Sequence, residues 1–590
     1  MKKLTYFLLV ALVLLSFGSG GAFAQATASG TIQGTITDQS QGVVQGAEIT
    51  AKNKGTDLTR TISTSDTGYY RIELLPVGVY AITVTKTGFA TTTSTIEVMV
   101  GQAATFDVTL KPGAASETVE ISSDVPLVDQ AKTDVSQNIT PKQVEELPLL
   151  GRDVANLAYL APGVKAADSY DPTKNRYAVL SVNGQDGRNV NVTINGLDNK
   201  DNTIGGTVMQ VPLEAVEEFV ISTQRFSAAN GRSEGAAINL ITKSGTNNYH
   251  GSAFGFFREQ AFNAENHFEQ LAGQKGPYSR QFFGGSVGGP IVKDKFFGFF
   301  AFERQREHTS VTEAASAFNE LQIAAKAGLA AQPAAVIPTP FYENRYNGRL
   351  DYKFNDHQNA YVSYTSQANN SLNDQSVGLS DLTQGNFTKN HLQAANATLN
   401  SVFTPTLVNS FMVGFQYWNN IIDSSTKVPF VTFPGGVSFG TSTNVPQQSY
   451  QHKFQFRDDI TKTIQAHTFK FGVDYVFDPN LGGFFESNAT PEIDFIDSPS
   501  VITTDKVKYP QGFATPGIFR SMSGSSGNPY FKLSPKQLGL YGQDTWRVSR
   551  RLTLDLGLRW DKDFGLVGAD AMRNSRTFQK LTAILLLLPP

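Results

Sequence analysis

The sequence predicts a mainly β chain in three parts: a small β-sandwich, a mixed α/β segment, and a run of strands that reads as an incomplete transmembrane β-barrel. Three observations carry that class. Charged residues make up 17% of the 590-residue chain and aromatics 11%, against about 25% charged in soluble proteins, so part of the surface faces something other than water. An export signal opens the chain. Beyond Gly245, long segments alternate apolar and polar residues with the period of two that belongs to strands.

The signal comes first. Lys2 and Lys3 precede an apolar run from Leu4 to Phe17, and Ala22, Phe23 and Ala24 form a small-residue cleavage site before Gln25. The run is shorter than the roughly 20 residues of a spanning helix, so residues 1–24 are expected to be a cleaved signal peptide. Ile584 to Leu588, the other strongly apolar stretch, is shorter still. An exported chain without spanning helices either stays soluble or inserts as a closed barrel, because only helices and barrels satisfy every backbone hydrogen bond in lipid. The absence of Cys removes disulfide scaffolds, thiol nucleophiles and Cys-ligated metals. A net charge of -3 argues against nucleic-acid binding.

Residues 30–111 read as the sandwich. Ala47, Ile49 and Ala51 alternate against Glu48, Thr50 and Lys52, and Tyr80, Ile82 and Val84 against Ala81, Thr83 and Thr85. Asp66, Thr67 and Gly68 turn the chain into Tyr69 and Tyr70, and Pro76, Val77 and Gly78 make the next turn. A linker rich in Gly, Ala and Ser follows. In it Glu117, Thr118, Val119, Glu120 and Ile121 form one short extended segment, which is either a linker strand or a peptide that another protein captures by adding it to a sheet edge.

Residues 125–245 mix short helices and strands. Thr140, Pro141 and Gln143 supply an N-cap, a proline at the first helical position and a capping-box partner. Pro162 and Gly163 end a helix carrying Val154, Leu157 and Leu160. Strands are expected at Val179 to Asn183 and at Val190, Val192 and Ile194, the latter closed by Asn195 and Gly196.

Residues 246–568 carry the long strands. Phe469, Phe471, Val473, Tyr475 and Phe477 alternate with Lys470, Gly472 and Asp474, and Leu552, Leu554, Leu556, Leu558 and Trp560 with Thr553, Asp555, Gly557 and Arg559. The apolar faces suit lipid and the polar faces a lumen, at the 9–11 residue length of a tilted membrane strand. Phe296, Phe297, Phe299, Phe300 and Phe302 read as an aromatic cluster at a strand end. About eleven strands fit between Tyr249 and Asp563, half of the 22 in plugged transporters, and residues 569–590 lose the alternation. The expectation is a truncated or frameshifted chain whose barrel does not close.

Two runs resemble known families. "GTITDQSQGVVQGAEITAKN" with "TSDTGYYRIELLPVGVYAITVTKTGF" resembles the carboxypeptidase regulatory-like domain, which implies a transthyretin-like, carbohydrate-binding-like sandwich fold. "RFSAANGRSEGAAINLITKSGTNNYHGSAFGFFREQAFNAENHF" and "RQFFGGSVGGPIVKDKFFGFFAFERQR" resemble TonB-dependent outer-membrane receptors of the Oar-like type, with "LPLLGRDVANLAYLAPGV" and "LSVNGQDGRNVNVTINGLDN" in the order of that family's plug. The resemblance implies a plug, residues 125–245, blocking the barrel lumen. It also implies outer-membrane localisation, and uptake energised by a TonB-type partner that pulls on an N-terminal peptide, for which Glu117 to Ile121 is the candidate. Outer-membrane lipid and the barrel-assembly machinery are further implied partners, with a large ligand such as an oligosaccharide, peptide or metal chelate as cargo. Arg152, Asn183, Asn195 and Asp198 are the candidate plug residues, and Asn189, Asn191 and Asn199 are expected to help bond the lumen wall without a large apolar interface.

No catalytic, cofactor or metal site is expected. Seven His at 250, 267, 308, 357, 391, 452 and 467 lack the spacing of a zinc pair. Gly284 to Gly288 matches G-x-S-x-G around Ser286, but Gly289 and Pro290 follow where a nucleophile elbow needs a helix. Asp198 to Asn202 opens like a calcium loop, yet Lys200 occupies a ligand position. The rival functional reading is a secreted or surface adhesion protein whose sandwich binds carbohydrate.

Overall fold

A computed structural model describes residues 29–113, 118–120, 133–147, 149, 151–166, 180–185, 189–201, 207–273, 275–549, 552–565, 579–580 and 582. The expected signal peptide and most of the expected tail lie outside them. Among the described residues no helix is long and apolar enough to cross a membrane.

The first unit is a two-sheet sandwich. One sheet runs Thr59–Ser63, Glu48–Asn53, Gly78–Thr85, Thr91–Val98 and Thr118–Glu120; the other places Ser29–Asp38 between Tyr69–Pro76 and the short strands Ala103–Thr105 and Val108–Leu110. The alternation read from the sequence holds, since Ala47, Ile49, Ala51, Tyr80, Ile82 and Val84 are all at 0% exposure between the sheets. The next unit is a five-stranded sheet in the order Val135–Ile139, Val216–Gln224, Ala236–Thr242, Val190–Ile194, Leu197–Asp198. Thr140 and Gln143 form the capping box of the helix Pro141–Glu146. Val154–Leu160 winds as a 3₁₀ helix capped by Asp153 rather than as an α-helix. In that tighter coil Val154, Ala155, Leu157 and Ala158 are buried, whereas the terminal Leu160 is exposed.

Eleven strands then follow one another as an antiparallel meander: His250–Glu259, Ser279–Val292, Phe296–His308, Phe341–Lys353, Gln358–Leu372, Asn386–Thr404, Leu407–Ser424, Gln447–Ile464, His467–Phe477, Lys536–Ser549 and Leu552–Phe564. The first and last do not pair with each other among the described residues. The connections at one end are short, at 293–295, 354–357, 405–406 and 465–466, while those at the other are long, reaching residues 478–535. That asymmetry is the signature of outer-membrane barrels, whose short turns are periplasmic. The aromatic cluster does not share one face. Phe297 and Phe299 point inward at 3% and 4% exposure, and Phe300 points outward at 47%, because adjacent strand residues must face opposite ways.

Two further findings were not anticipated. Three long loops build a cap with its own core, in which the helix Ala315–Lys326 packs Leu321 near Phe433, Phe439 and Phe495, and Phe433 stacks on Phe495 at 5.0 Å. The sandwich, for its part, sits at the short-turn end. Asn247 donates its N–H to the Gly55 carbonyl at 2.7 Å, Lys353 Nζ reaches the Asp57 carbonyl at 3.2 Å, and Arg547 lies 4.5 Å from the Tyr69 ring. A cleft of about 200 Å³ lined by Arg60, Glu73, Asp356 and Val408 remains at this seam.

The seam gives a direct test in a chain without Cys. A Cβ built on Gly55 falls 3.6 Å from Thr246 Cβ, inside the roughly 3.5–4.5 Å span of a disulfide. The double variant Gly55→Cys, Thr246→Cys should therefore cross-link on mild oxidation, seen as a non-reducing gel shift and a new linked peptide by mass spectrometry. Two free thiols after oxidation would mean that the sandwich is not seated there.

Candidate functional site

The five-stranded unit lies against the inner faces of the strands, and the site is that interface. Arg152 follows Gly151 at a turn, with φ +51°. Its Nε binds Glu303 Oε2 at 2.9 Å, its Nη2 lies 3.3 Å from Glu214, and its guanidinium covers the Phe254 ring at 4.1 Å. Glu303 Oε1 also takes Arg345 Nη1 at 3.0 Å, and Arg345 Nη2 takes Glu343 at 2.5 Å. Gln367 and Asn369 donate to the remaining Glu343 oxygen at 2.7 and 3.0 Å, and the same Arg345 nitrogen bonds the Arg152 carbonyl at 3.0 Å. Glu303, Glu343 and Arg345 are 0%, 1% and 2% exposed. Two carboxylates thus face two guanidinium groups with their oxygens satisfied, the condition under which buried charge is tolerated.

A second cluster surrounds Asp198. Asn195 and Gly196, at φ +50° and +82°, make the tight turn between Val190–Ile194 and Leu197–Asp198. Asp198 pairs with Arg232 and lies 3.4 Å from Lys453 of the wall, its N–H donates to Gln455 Oε1 at 2.8 Å, and Gln416 donates to its carbonyl at 3.1 Å. Burial alone would raise the Asp198 carboxyl, but Arg232 and Lys453 hold it well below the usual carboxylate range. Burial, with the like charge of Arg232, pushes Lys200 down to about 8. The Asp198 carboxylate, which opens the calcium-like segment of the sequence, is therefore neutralised by the protein's own cations. Among the described residues no group of three or more His, Cys, Asp or Glu could hold a metal.

The other candidates divide. Asn195 Nδ2 donates to Thr242 at 2.9 Å and to Ser363 of the wall at 3.1 Å, and Asn199 accepts from Gln416 at 3.3 Å. Asn183 instead bonds the Thr223 carbonyl at 3.1 Å, Asn189 reaches Glu234 and Asn191 the Gly231 carbonyl, so these three brace the plug internally. Nor is the contact wholly polar. Leu392, Ala394 and Trp418 of the wall join the plug core, and Gly414 leaves room for Leu197, whose Cδ1 would stand 2.3 Å from any Cβ there. Ser286 lies mid-strand, 3.0 Å from Ser252, with no elbow around it. Of the linker segment, Glu117 and Ile121 lie outside the described residues, and Thr118–Glu120 pairs in parallel with Thr91–Thr93 at the edge of the sandwich. Glu303, Glu343 and Arg345 escaped the sequence reading. Their signal is there: Glu303, Gln305 and Glu307 occupy alternate positions in an otherwise aromatic strand, as do Glu343, Arg345 and Asn347.

A third contact joins sandwich to plug. Glu218, 1% exposed, accepts the Val100 N–H at 2.8 Å and a bond from Asn138, whose Nδ2 also reaches the Val100 carbonyl at 3.0 Å. Burial pushes its carboxyl up to about 7.

Two predictions follow from these contacts. In a double-mutant cycle, Arg152→Ala and Glu303→Ala should each destabilise by about 3–5 kcal/mol, because either leaves a buried charge unpaired. Their coupling in urea titrations should exceed about 1 kcal/mol, and additivity within about 0.5 kcal/mol would refute a shared network. Because the folded Glu218 value lies above the unfolded one, its contribution to stability is complete below about pH 4.5 and is lost as pH rises through about 7. Glu218→Gln should flatten that slope in melting temperatures taken between pH 4.5 and 8; an unchanged slope would assign it to another group.

The relatives agree with this geometry. The outer membrane beta barrel domain family matches residues 241–340 and 322–583, and the carboxypeptidase regulatory-like domain matches residues 31–111. The TonB-dependent transporter Oar of Myxococcus xanthus is 30% identical over 303 residues, 49% of this chain and 27% of that protein. Among solved structures, the outer membrane transporter YddB from Escherichia coli superposes with a TM-score of 0.53 at 11% identity, covering 73% of this chain and 56% of that one. The siderophore receptor PirA from Acinetobacter baumannii gives 0.49 at 16% identity over 74% and 57%. The matched part thus spans little more than half of these solved transporters and about a quarter of the curated relative. The chain therefore belongs to the outer membrane beta barrel domain family, carries an N-terminal carboxypeptidase regulatory-like domain, and is similar over about half of its length to a TonB-dependent transporter of the Oar type.

Proposed function

We propose that this chain supplies the sandwich, the plug and part of the barrel wall of a transporter that brings a large ligand across the outer membrane. The ligand is of the oligosaccharide, peptide or metal-chelate class, and a TonB-type inner-membrane protein energises its passage. The observation that carries the reading is the plug interface. Around Arg152 and Asp198 it is built from ion pairs and hydrogen bonds to lumen-facing side chains, which water can replace during displacement. An apolar seal of the same area would resist such movement.

The candidate handle is Glu117 to Ile121. Thr118–Glu120 is the last strand of its sheet among the described residues, so its outer edge is open to strand addition. A pull there reaches the plug by two routes: the chain continues into Val135–Ile139, and the sandwich is bonded to Glu218.

The test uses the cysteine-free background. Val119→Cys, carried in the longest chain that contains these residues, should form a disulfide with a single-Cys TonB carboxyl-terminal domain. Val119→Pro, which removes a strand N–H, should abolish energised accumulation of a labelled peptide and ferric-chelate panel while leaving outer-membrane levels unchanged. No cross-link at positions 117–121, with uptake retained in the Pro variant, would reject the segment; uptake unaffected by a protonophore would reject energised transport altogether.

A further inference from the structure

The outward face of the strand Phe296–His308 changes character along its length. Its outward residues from the periplasmic end are Phe296, Gly298, Phe300 and Phe302, and then Arg304, Arg306 and His308. With a rise of about 3.4 Å per residue and a tilt of about 40°, Arg304 and Arg306 stand about 20 and 26 Å above Phe296. That is the outer boundary of an apolar band about 25 Å tall. The cross-strand neighbours of Arg304 are Phe283 and Asn344, and those of Arg306 are Gln281 and Tyr342; none is acidic.

These arginines differ from those of the lumen. Arg152, Arg345, Arg349 and Arg457 each hold a carboxylate. Arg304 and Arg306 make no ion pair with any described residue. The Arg304 Nε is buried with no hydrogen-bond partner, and so is Oδ1 of Asn344 directly opposite. The Arg306 guanidinium lies 5.8 Å from the Phe283 ring, and Tyr342 stands edge-on to His308 at 5.6 Å. Two guanidinium groups without a carboxylate partner among the described residues, that of Arg306 beside the Phe283 ring and both on the outward face, call for an anion that the membrane provides. A guanidinium prefers a phosphate oxygen pair.

We propose that Arg304 and Arg306, with Tyr342 and Asn344 beside them, form a docking surface for the phosphorylated headgroup of an outer-leaflet glycolipid. Phosphate oxygens complete the two arginines, Asn344 and Tyr342 bond the sugar, and the acyl chains lie along Phe300, Phe302 and Phe283. The contact anchors the strand at its outer end, beside the root of the loop that carries the helix Ala315–Lys326.

The test is native mass spectrometry of the chain extracted from outer membranes in mild detergent, with titrations of diphosphorylated lipid A, its dephosphorylated form and phosphatidylethanolamine. The unmodified chain should retain and rebind diphosphorylated lipid A. Removing the phosphates, or making Arg304→Gln with Arg306→Gln, should weaken binding by about tenfold or more. Arg304→Lys with Arg306→Lys, which keeps the charge and loses the planar fork, should fall between, and Lys293→Gln in a periplasmic turn should change nothing. Equal binding of phosphorylated and dephosphorylated lipid A, or binding by the folded Gln variant at the unmodified level, would overturn the proposal.

Discussion

The Glu303 carboxylate is 0% exposed and is shared between Arg152 of the plug and Arg345 of the wall. A charge so placed is sustained only while both partners stay in position. Arg345 in turn keeps Glu343 neutralised, and Glu343 orders Gln367 and Asn369 two strands from Glu303. Gln367 then accepts the Gln210 N–H, and Gln210 accepts from Val154 at the start of the 3₁₀ helix. Three wall strands and two plug segments thus share one chain of hydrogen bonds and ion pairs, so satisfying these charges requires one register of the plug on the wall.

The remaining interface is fitted around that chain. Gly414 admits Leu197, and Gly557 lies where a Cβ would approach Ala228 at 3.0 Å. Trp418, at 1% exposure, carries the wall into the plug core. The arrangement combines an apolar contact through Leu392, Ala394 and Trp418 with many polar ones, and both locate the plug on the wall. Buried hydrogen bonds are costly to leave open but readily exchanged once water enters.

The sandwich adds a second layer at the periplasmic side. Its docking uses backbone carbonyls at Gly55 and Asp57, a cation over Tyr69, and one titrating carboxylate at Glu218. Beside these polar contacts a small apolar cluster crosses the same joint, where Val100 and Val77 of the sandwich pack with Val220 and Ile241 of the plug. The outer side is different again, since the cap around Phe433 and Phe495 is an apolar cluster held by three loops.

Local rules account for what was legible in the sequence. Period-two alternation placed Ile49, Tyr80 and Ile82 in the sandwich core and turned Leu552 to Trp560 outward, because a strand offers each side chain only two directions. The Thr140 capping box and the Asn195–Gly196 turn depend on neighbours a few residues apart, and both formed where expected. The candidates Arg152, Asn195 and Asp198 reach the wall, whereas Asn183 turns into the plug. The sequence alone could not separate them, since their partners lie 34 to 257 residues away. Nor could it show that Phe297 and Phe299 face inward, that loops far apart in the chain would share a core, or that Glu303 would join Arg152 to Arg345. Composition and spacing determined the class, the alternation and the turns, which are short-range properties of the backbone. Only the tertiary structure decided which buried charges meet, because Coulomb pairing depends on distance in space and the chain's spacing says nothing of it.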